Sequence, residues 1–267
     1  MTSILASVSP QERRDKGLAL YREIMACDPP AILTPRSATL IDFVYAEIWS
    51  RPALSVRDRR IVALTCAAGA DAHTVVADHF YAALKLGERT IDELHEFVLH
   101  FAVYCGWPKA EVVEAILIEQ WQRICDESSS DGDWKPEPLS AAPADQSLRK
   151  AGGEQEFRDV NFREAPPRGI PYYDNGILNF VFGEMWKRPG LSRRDRRLIT
   201  LACVGLDDTI GPIQSHVYSA MKSGDLTYEE MWELVLQFAA SSGWPKAQYM
   251  QQSADEMHER ILDEARS

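Results

Sequence analysis

The sequence predicts an all-α protein built from two tandem helical modules, and three observations carry that expectation. The string Trp49-Ser50-Arg51-Pro52-Ala53-Leu54-Ser55-Val56-Arg57-Asp58-Arg59-Arg60 returns as Trp186-Lys187-Arg188-Pro189-Gly190-Leu191-Ser192-Arg193-Arg194-Asp195-Arg196-Arg197. The offset of 137 runs without a gap to Asp126-Glu127 and Asp263-Glu264, and self-similarity at a fixed register marks a duplicated structural unit. Apolar residues recur at helical spacing, and no stretch sustains the period-two alternation of a half-buried strand.

Residues 10–26 carry Leu18, Leu20, Tyr21, Ile24 and Met25 near helical spacing, and Asp28-Pro29-Pro30 stops the helix. Ser37 to Trp49 repeats the pattern through Leu40, Ile41, Val44, Tyr45 and Ile48. Ser55 with Asp58, and Ser192 with Asp195, fit a capping box opening an apolar central helix. A third helix is expected from about Thr74 to Leu86, with Gly87 and Gly224 as left-handed caps. Thr90 with Glu93 and Thr227 with Glu230 are further capping boxes, and the helices they open stop at Gly106 and Gly243. Pro108 and Pro245 suit the first turn of a last helix, where a missing amide costs nothing. Residues 1–127 are read as the first module, the polar, proline-bearing residues 128–150 as a linker, and 151–267 as the second module, with 157–173 partly coil.

The 267 residues suffice for two ordinary domains. A net charge of −11, from 29 basic and 40 acidic residues, argues against a nucleic-acid partner. Five cysteines, odd in number and without short spacing, read as free thiols in a reducing compartment rather than disulfides or a zinc site. No run approaches the ~20 apolar residues of a membrane helix, and residues 1–10 lack the pattern of a signal peptide. The expectation is a cytoplasmic protein without membrane partners.

The Trp-x-Arg-Pro-x-Leu-Ser-x-Arg-Asp-Arg-Arg string, the His79-Phe80-Tyr81-Ala82-Ala83-Leu84-Lys85-Leu86-Gly87 segment and the run from Thr90 to Ala110 occur in order in this chain. Together they resemble the carboxymuconolactone decarboxylase family, relatives of alkyl hydroperoxidase D, over residues 40–127 and 177–264. The peroxidase branch carries a Cys-x-x-Cys pair before its histidine. Here those positions hold Ala72 and Val75, and Thr209 and Pro212, so disulfide-based peroxidase activity is disfavoured. The resemblance implies a decarboxylase, or related lyase or isomerase, that acts on a small organic acid or lactone without metal or organic cofactor. The resemblance also implies assembly: single-module relatives of the decarboxylase type form hexamers built from dimers, which for a fused pair implies a homotrimer. The alternative is a non-catalytic small-molecule-binding or assembly protein on the same scaffold.

The candidate catalytic residues are His79 and His216, each on a helix beside apolar neighbours, where an imidazole can transfer a proton near neutral pH. The alternative is a core imidazole with a satisfied hydrogen bond. Glu96, His100 and Tyr104 recur every four residues and share one helix face; Glu233, Gln237 and Ser241 replace them in the second copy. The expectation is that the first module surrounds His79 with proton-transfer groups and contributes most of the chemistry. Glu47 and Glu184 match the family's acidic position and, if buried near a histidine, raise its pKa. Arg51, Arg60, Arg188 and Arg197 are candidate carboxylate-binding residues through a bidentate fork. The first-turn arginines Arg57, Arg59, Arg60, Arg194, Arg196 and Arg197, beside Asp58 and Asp195, read more readily as surface or subunit-interface ion pairs, while Arg51 and Arg188 suit either role. Trp49, Trp186, Trp107 and Trp244 are expected as packing anchors.

Overall fold

The computed structural model describes residues 9–129, 132, 134–135 and 142–267, and every regular element among them is a helix. In the first module these are α1 (Pro10–Met25), α2 (Pro35–Thr39) running into a π-helical stretch (Leu40–Trp49), α3 (Val56–Gly69), α4 (His73–Lys85), α5 (Ile91–Cys105) and α6 (Trp107–Ser128). The second has α7 (Gln146–Asn161), a π-helical stretch (Tyr172–Val181), a 3-10 turn (Met185–Lys187), α8 (Arg193–Leu206), α9 (Ile210–Lys222), α10 (Tyr228–Ser242) and α11 (Trp244–Arg266). Part of the expected linker, residues 130–131, 133 and 136–141, lies outside the described residues. α7 begins inside the stretch read as linker, and the segment expected as partly coil starts with its last turns.

Local chemistry explains the helix starts. Thr90, Ser192 and Thr227 close full capping boxes with Glu93, Asp195 and Glu230. The box expected at Ser55 is only half formed: its hydroxyl accepts from the Asp58 amide at 3.1 Å, while the Asp58 carboxylate takes Arg194 of the other module at 3.0 Å. Asp195 pairs across the modules too, with Arg89 at 2.5 Å, yet keeps its own cap.

The repeat reaches further than the sequence register showed. α1 and α7 match at an offset of 136, so that Gly17 aligns with Gly153 and the left-handed ends Ala26 and Phe162 align with each other. At both glycines a helix rests directly on the backbone of the π-helical stretch. A Cβ on Gly17 would stand 2.1 Å from the Ile41 carbonyl oxygen, and one on Gly153 1.8 Å from that of Leu178. Backbone cannot swing aside as a side chain does, so Gly153→Ala should lower unfolding free energy by about 2–3 kcal/mol, the upper part of the overpacking range, read from urea denaturation. An unchanged midpoint would mean that the helices separate freely here.

One apolar core runs through both modules. α3 is buried from Asp58 to Ala68 and α8 from Asp195 to Gly205, which is why both are apolar on every face beyond their first turn. α3 and α8 pack on each other, α5 packs on α8, and α10 packs on α3. Each module therefore lends one helix to the face of the other. Trp49 and Trp186 are buried anchors as expected, but Trp107 and Trp244 are 56% and 57% exposed. They rest instead on Phe180 and Phe43 of the opposite module. Among the described residues no helix is long and apolar enough to cross a membrane.

Candidate active site at the module crossing

Because α5 lies against α8, the face carrying Glu96, His100 and Tyr104 meets the second module, not His79. His100 sits at 2.9 Å, through Nε2, from Thr200 Oγ1 and at 3.3 Å, through Nδ1, from Arg196 Nη1. A guanidinium only donates, so Nδ1 accepts and the proton resides on Nε2, which donates to Thr200. Thr200 also lies within reach of the Tyr104 hydroxyl, which accepts from the Trp186 indole at 3.2 Å. The Tyr104 ring stands edge-on to His216, with centroids 6.0 Å apart. Glu96 completes the crossing by accepting from Arg188, with Nη2 donating to Oε1 at 2.5 Å and Nε to Oε2 at 3.1 Å.

The equivalent crossing, α10 over α3, makes a second site with other contents. Glu233 takes Arg51 at 2.7 Å and the fully buried Arg59 at 2.7 Å. Gln237 replaces His100, and Ala63 stands where the other site has Thr200, so that position offers no hydroxyl; the buried Gln237 Oε1 has no partner among the described residues. His79 is 4% exposed and stacks on Trp49 at 5.9 Å, while its Nδ1 lies 3.4 Å from Arg60 Nη1. His216, by contrast, is only half-buried, and its Nδ1 has no partner among the described residues.

The two arginines under these histidines differ in the same direction. Arg60 is clamped by Glu88 at 2.6 and 2.8 Å and by the Ile24 carbonyl. Arg197 meets the shorter Asp225 through one bond of 3.1 Å and the Val160 carbonyl, leaving Nη1 without a partner among the described residues. The site at His216 thus pairs an accessible imidazole with an incompletely used guanidinium. The site at His79 is closed.

The crosswise packing corrects several expectations. Proton-transfer groups of the first module do not surround His79; they face His216. Glu47 is exposed and pairs with Arg13 at 2.6 Å, so it does not tune a buried imidazole. Glu184 is half-buried, and its charge acts on Arg188. Arg51 and Arg188 pair with Glu233 and Glu96, and Arg60 with Glu88; Arg188 and Arg197 each keep an Nη1 without a partner among the described residues, and of the two Arg197 acts on His216.

Burial, and then the charge of Arg60, lowers the His79 pKa from 6.5 to about 3. Burial, then Arg197 and Arg163, does the same for His216, also to about 3. Burial and Arg196 push His100 well below its ordinary value. All three imidazoles are neutral at pH 7. Between the folded and unfolded values the unfolded chain binds more protons. For His79 and His216 the stabilising effect is therefore whole above pH 6.5 and is lost as pH falls towards about 3. Each contributes a slope approaching ~1.4 kcal/mol per pH unit in that window. A His79→Gln, His216→Gln double variant should show a shallower loss of unfolding free energy between pH 7 and 5, measured by urea titration. An unaltered slope would mean that these imidazoles ionise freely in the fold.

Three groups escaped sequence reasoning. Thr200 sits inside an apolar run and looks like a helix filler, although its replacement by Ala63 in the other copy was a visible difference. Arg163 was hidden by the one-residue shift in register: at an offset of 136 its counterpart is Cys27, so only the His216 site has a cation there. Trp186 was assigned to packing, yet its indole also donates to Tyr104.

The fold is that of a fused pair of helical modules, with a polar site where each module's helix crosses the other. A sequence profile described as the carboxymuconolactone decarboxylase family matches residues 37–119 and 171–256, and the chain belongs to that family. It is 32% identical over 88 residues to the 4-carboxymuconolactone decarboxylase of Acinetobacter baylyi, covering 32% of this chain and 63% of that one. It is 30% identical over 86 residues to the nitrosuccinic acid decarboxylase npaB of Metarhizium robertsii, covering 32% of this chain and 58% of that one. The match thus spans somewhat under two thirds of either relative's length.

Proposed function

We propose that the protein is a decarboxylase of a small organic acid, with its chemistry at His216. The observation that carries this reading is the meeting of a half-buried His216 and a partly unpaired Arg197 with His100 and Tyr104 of the other module. Both named relatives are decarboxylases of acids, which supports the reaction class. Loss of carbon dioxide leaves an electron pair on carbon, so the substrate carries an electron-withdrawing group next to the departing carboxylate. Arg197 and Arg163 hold the carboxylate charge. Bound anion next to His216 raises the pKa of an imidazole that is otherwise neutral. His216, with Tyr104 beside it, then returns a proton to the carbon as the bond to carbon dioxide breaks.

The test is carbon dioxide release from a panel of β-keto acids and unsaturated lactone acids. Release from none of them, with ligand-dependent thermal shifts, would replace this reading by binding without turnover. The closed His79 site favours that second reading for half of the molecule. Assembly as a homotrimer, with each chain supplying one dimer of a six-module particle, belongs to the same proposal. Light scattering should give three chains per particle at micromolar concentration, and a monomer would contradict it. Five free thiols fit a cytoplasmic setting.

A further inference from the structure

Three of the five cysteines gather where the two modules meet. Cys66 on α3 and Cys203 on α8 are equivalent in the repeat, and both are fully buried. Cys105, the last residue of α5, has no counterpart thiol, because Ser242 occupies that position in α10. The same packing of α5 on α8 that brings His100 to Thr200 sets the Cys105 thiol beside the core cluster that holds Cys203, near enough for each thiol to act on the other. On its other side Cys105 is half-exposed and lines an open cleft of about 320 Å³ between the modules, together with Lys109, Asp207, Ser242 and Lys246. None of these groups has a part in the decarboxylation proposed for His216.

We propose that Cys105 and Cys203 form a redox-active pair, in which a hydroperoxide entering this cleft oxidises Cys105 and Cys203 closes a disulfide between the modules. The two thiols are differentiated for these roles. Cys105 lies below the ordinary thiol range, chiefly through the neighbouring Cys203 thiol and against the effect of its own burial, with Lys109 adding to the effect. Cys203 is pushed well above that range by burial and stays a thiol. A thiolate is the attacking species, and an accessible low-pKa thiol beside a second thiol is the arrangement that senses oxidants.

The Cys105 thiolate attacks the peroxide, and the oxygen–oxygen bond breaks. This gives a sulfenic acid on Cys105 and, with one proton, an alcohol or water. The Cys203 sulfur then attacks the Cys105 sulfur, displacing hydroxide, which leaves as water with the Cys203 proton. Two thiols are oxidised to one disulfide and the peroxide is reduced. Cys66, with a thiol pushed up to about 12 by burial and with Ser242 opposite it, remains reduced.

The chain carries its own control in Cys27, which is exposed but has its thiol raised by burial of the sulfur and by Asp78. The experiment treats the reduced, full-length protein with hydrogen peroxide, blocks remaining thiols with iodoacetamide, and maps the digest by mass spectrometry. The expected result is one linkage, Cys105 to Cys203, formed before Cys27 is oxidised and reversed by dithiothreitol. In Cys203→Ser, Cys105 should instead be captured as a sulfenic acid by dimedone, while Cys66→Ser still forms the linkage. Oxidation of Cys27 ahead of Cys105 would overturn the proposal. So would a linkage to any other cysteine, or oxidation that stops at Cys105 in the unsubstituted protein. The mapping of that protein decides the matter even if a variant fails to fold.

Discussion

Replacing His216 with alanine should lower the turnover of a decarboxylation substrate by about 10²-fold or more, the scale of a lost general acid or base, while His79→Ala stays within a few-fold. This reverses the order suggested by the sequence, in which the first module is richer in titratable groups. The reversal follows from where those groups point. His100 and Tyr104 stand beside His216, and the imidazole there is half-buried, its Nδ1 without a partner among the described residues. His79 is closed over, held between Trp49 and Arg60, and faces Gln237 and Ser241 in the repeat register. Its loss should show in the thermal midpoint, not in turnover. Steady-state rates of carbon dioxide release, with circular dichroism on each variant, check both halves of the expectation. Equal losses, or a larger one at His79, would end this assignment.

Removing the Glu233 carboxylate should destabilise the fold more than any other single side-chain change at the two crossings. Glu233 bridges Arg51 and Arg59 of the other module, and Arg59 is 0% exposed with two of its guanidinium nitrogens already lacking partners among the described residues. Taking away the anion leaves a buried cation with only the Arg51 carbonyl, at 3.1 Å, to receive it. Breaking such a pair by deleting one partner costs about 3–5 kcal/mol. Glu233→Ala should fall in that range in urea unfolding, and Glu233→Gln, which keeps an acceptor oxygen, should cost less. Equal effects of the two would mean that shape rather than charge holds the modules together at this point.

The helices were legible in the sequence because their determinants are local. Thr90, Ser192 and Thr227 cap the amides of their own first turns, and Gly87 and Gly224 accept the positive φ that ends a helix. The cap at Ser55 is only half formed, its Asp58 turned to Arg194 of the other module. The stripe of Glu96, His100 and Tyr104 was legible as a stripe. What it faces was not, since that depends on how α5 lies across α8, a choice made by two buried surfaces far apart in the chain. For the same reason the cysteines looked unrelated: Cys105 and Cys203 meet only when the modules cross. Arg163 was lost to a single-residue slip in the repeat, although Gly17 and Gly153 mark the true register through their contacts with Ile41 and Leu178.

The crossed helices also bear on how such a chain can change over generations. In a pair of identical subunits every substitution arrives twice, so a histidine that suits one site is imposed on the other. Fusion lifts that constraint: position 100 and position 237 are separately heritable, as are 200 and 63. One crossing can then gather His100, Thr200 and Tyr104 while the other settles into Gln237, Ala63 and Ser241 and serves as a seam. Yet neither gene half owns its own site. A change in the first half is felt at the histidine of the second, so the two copies are free to differ but not to part.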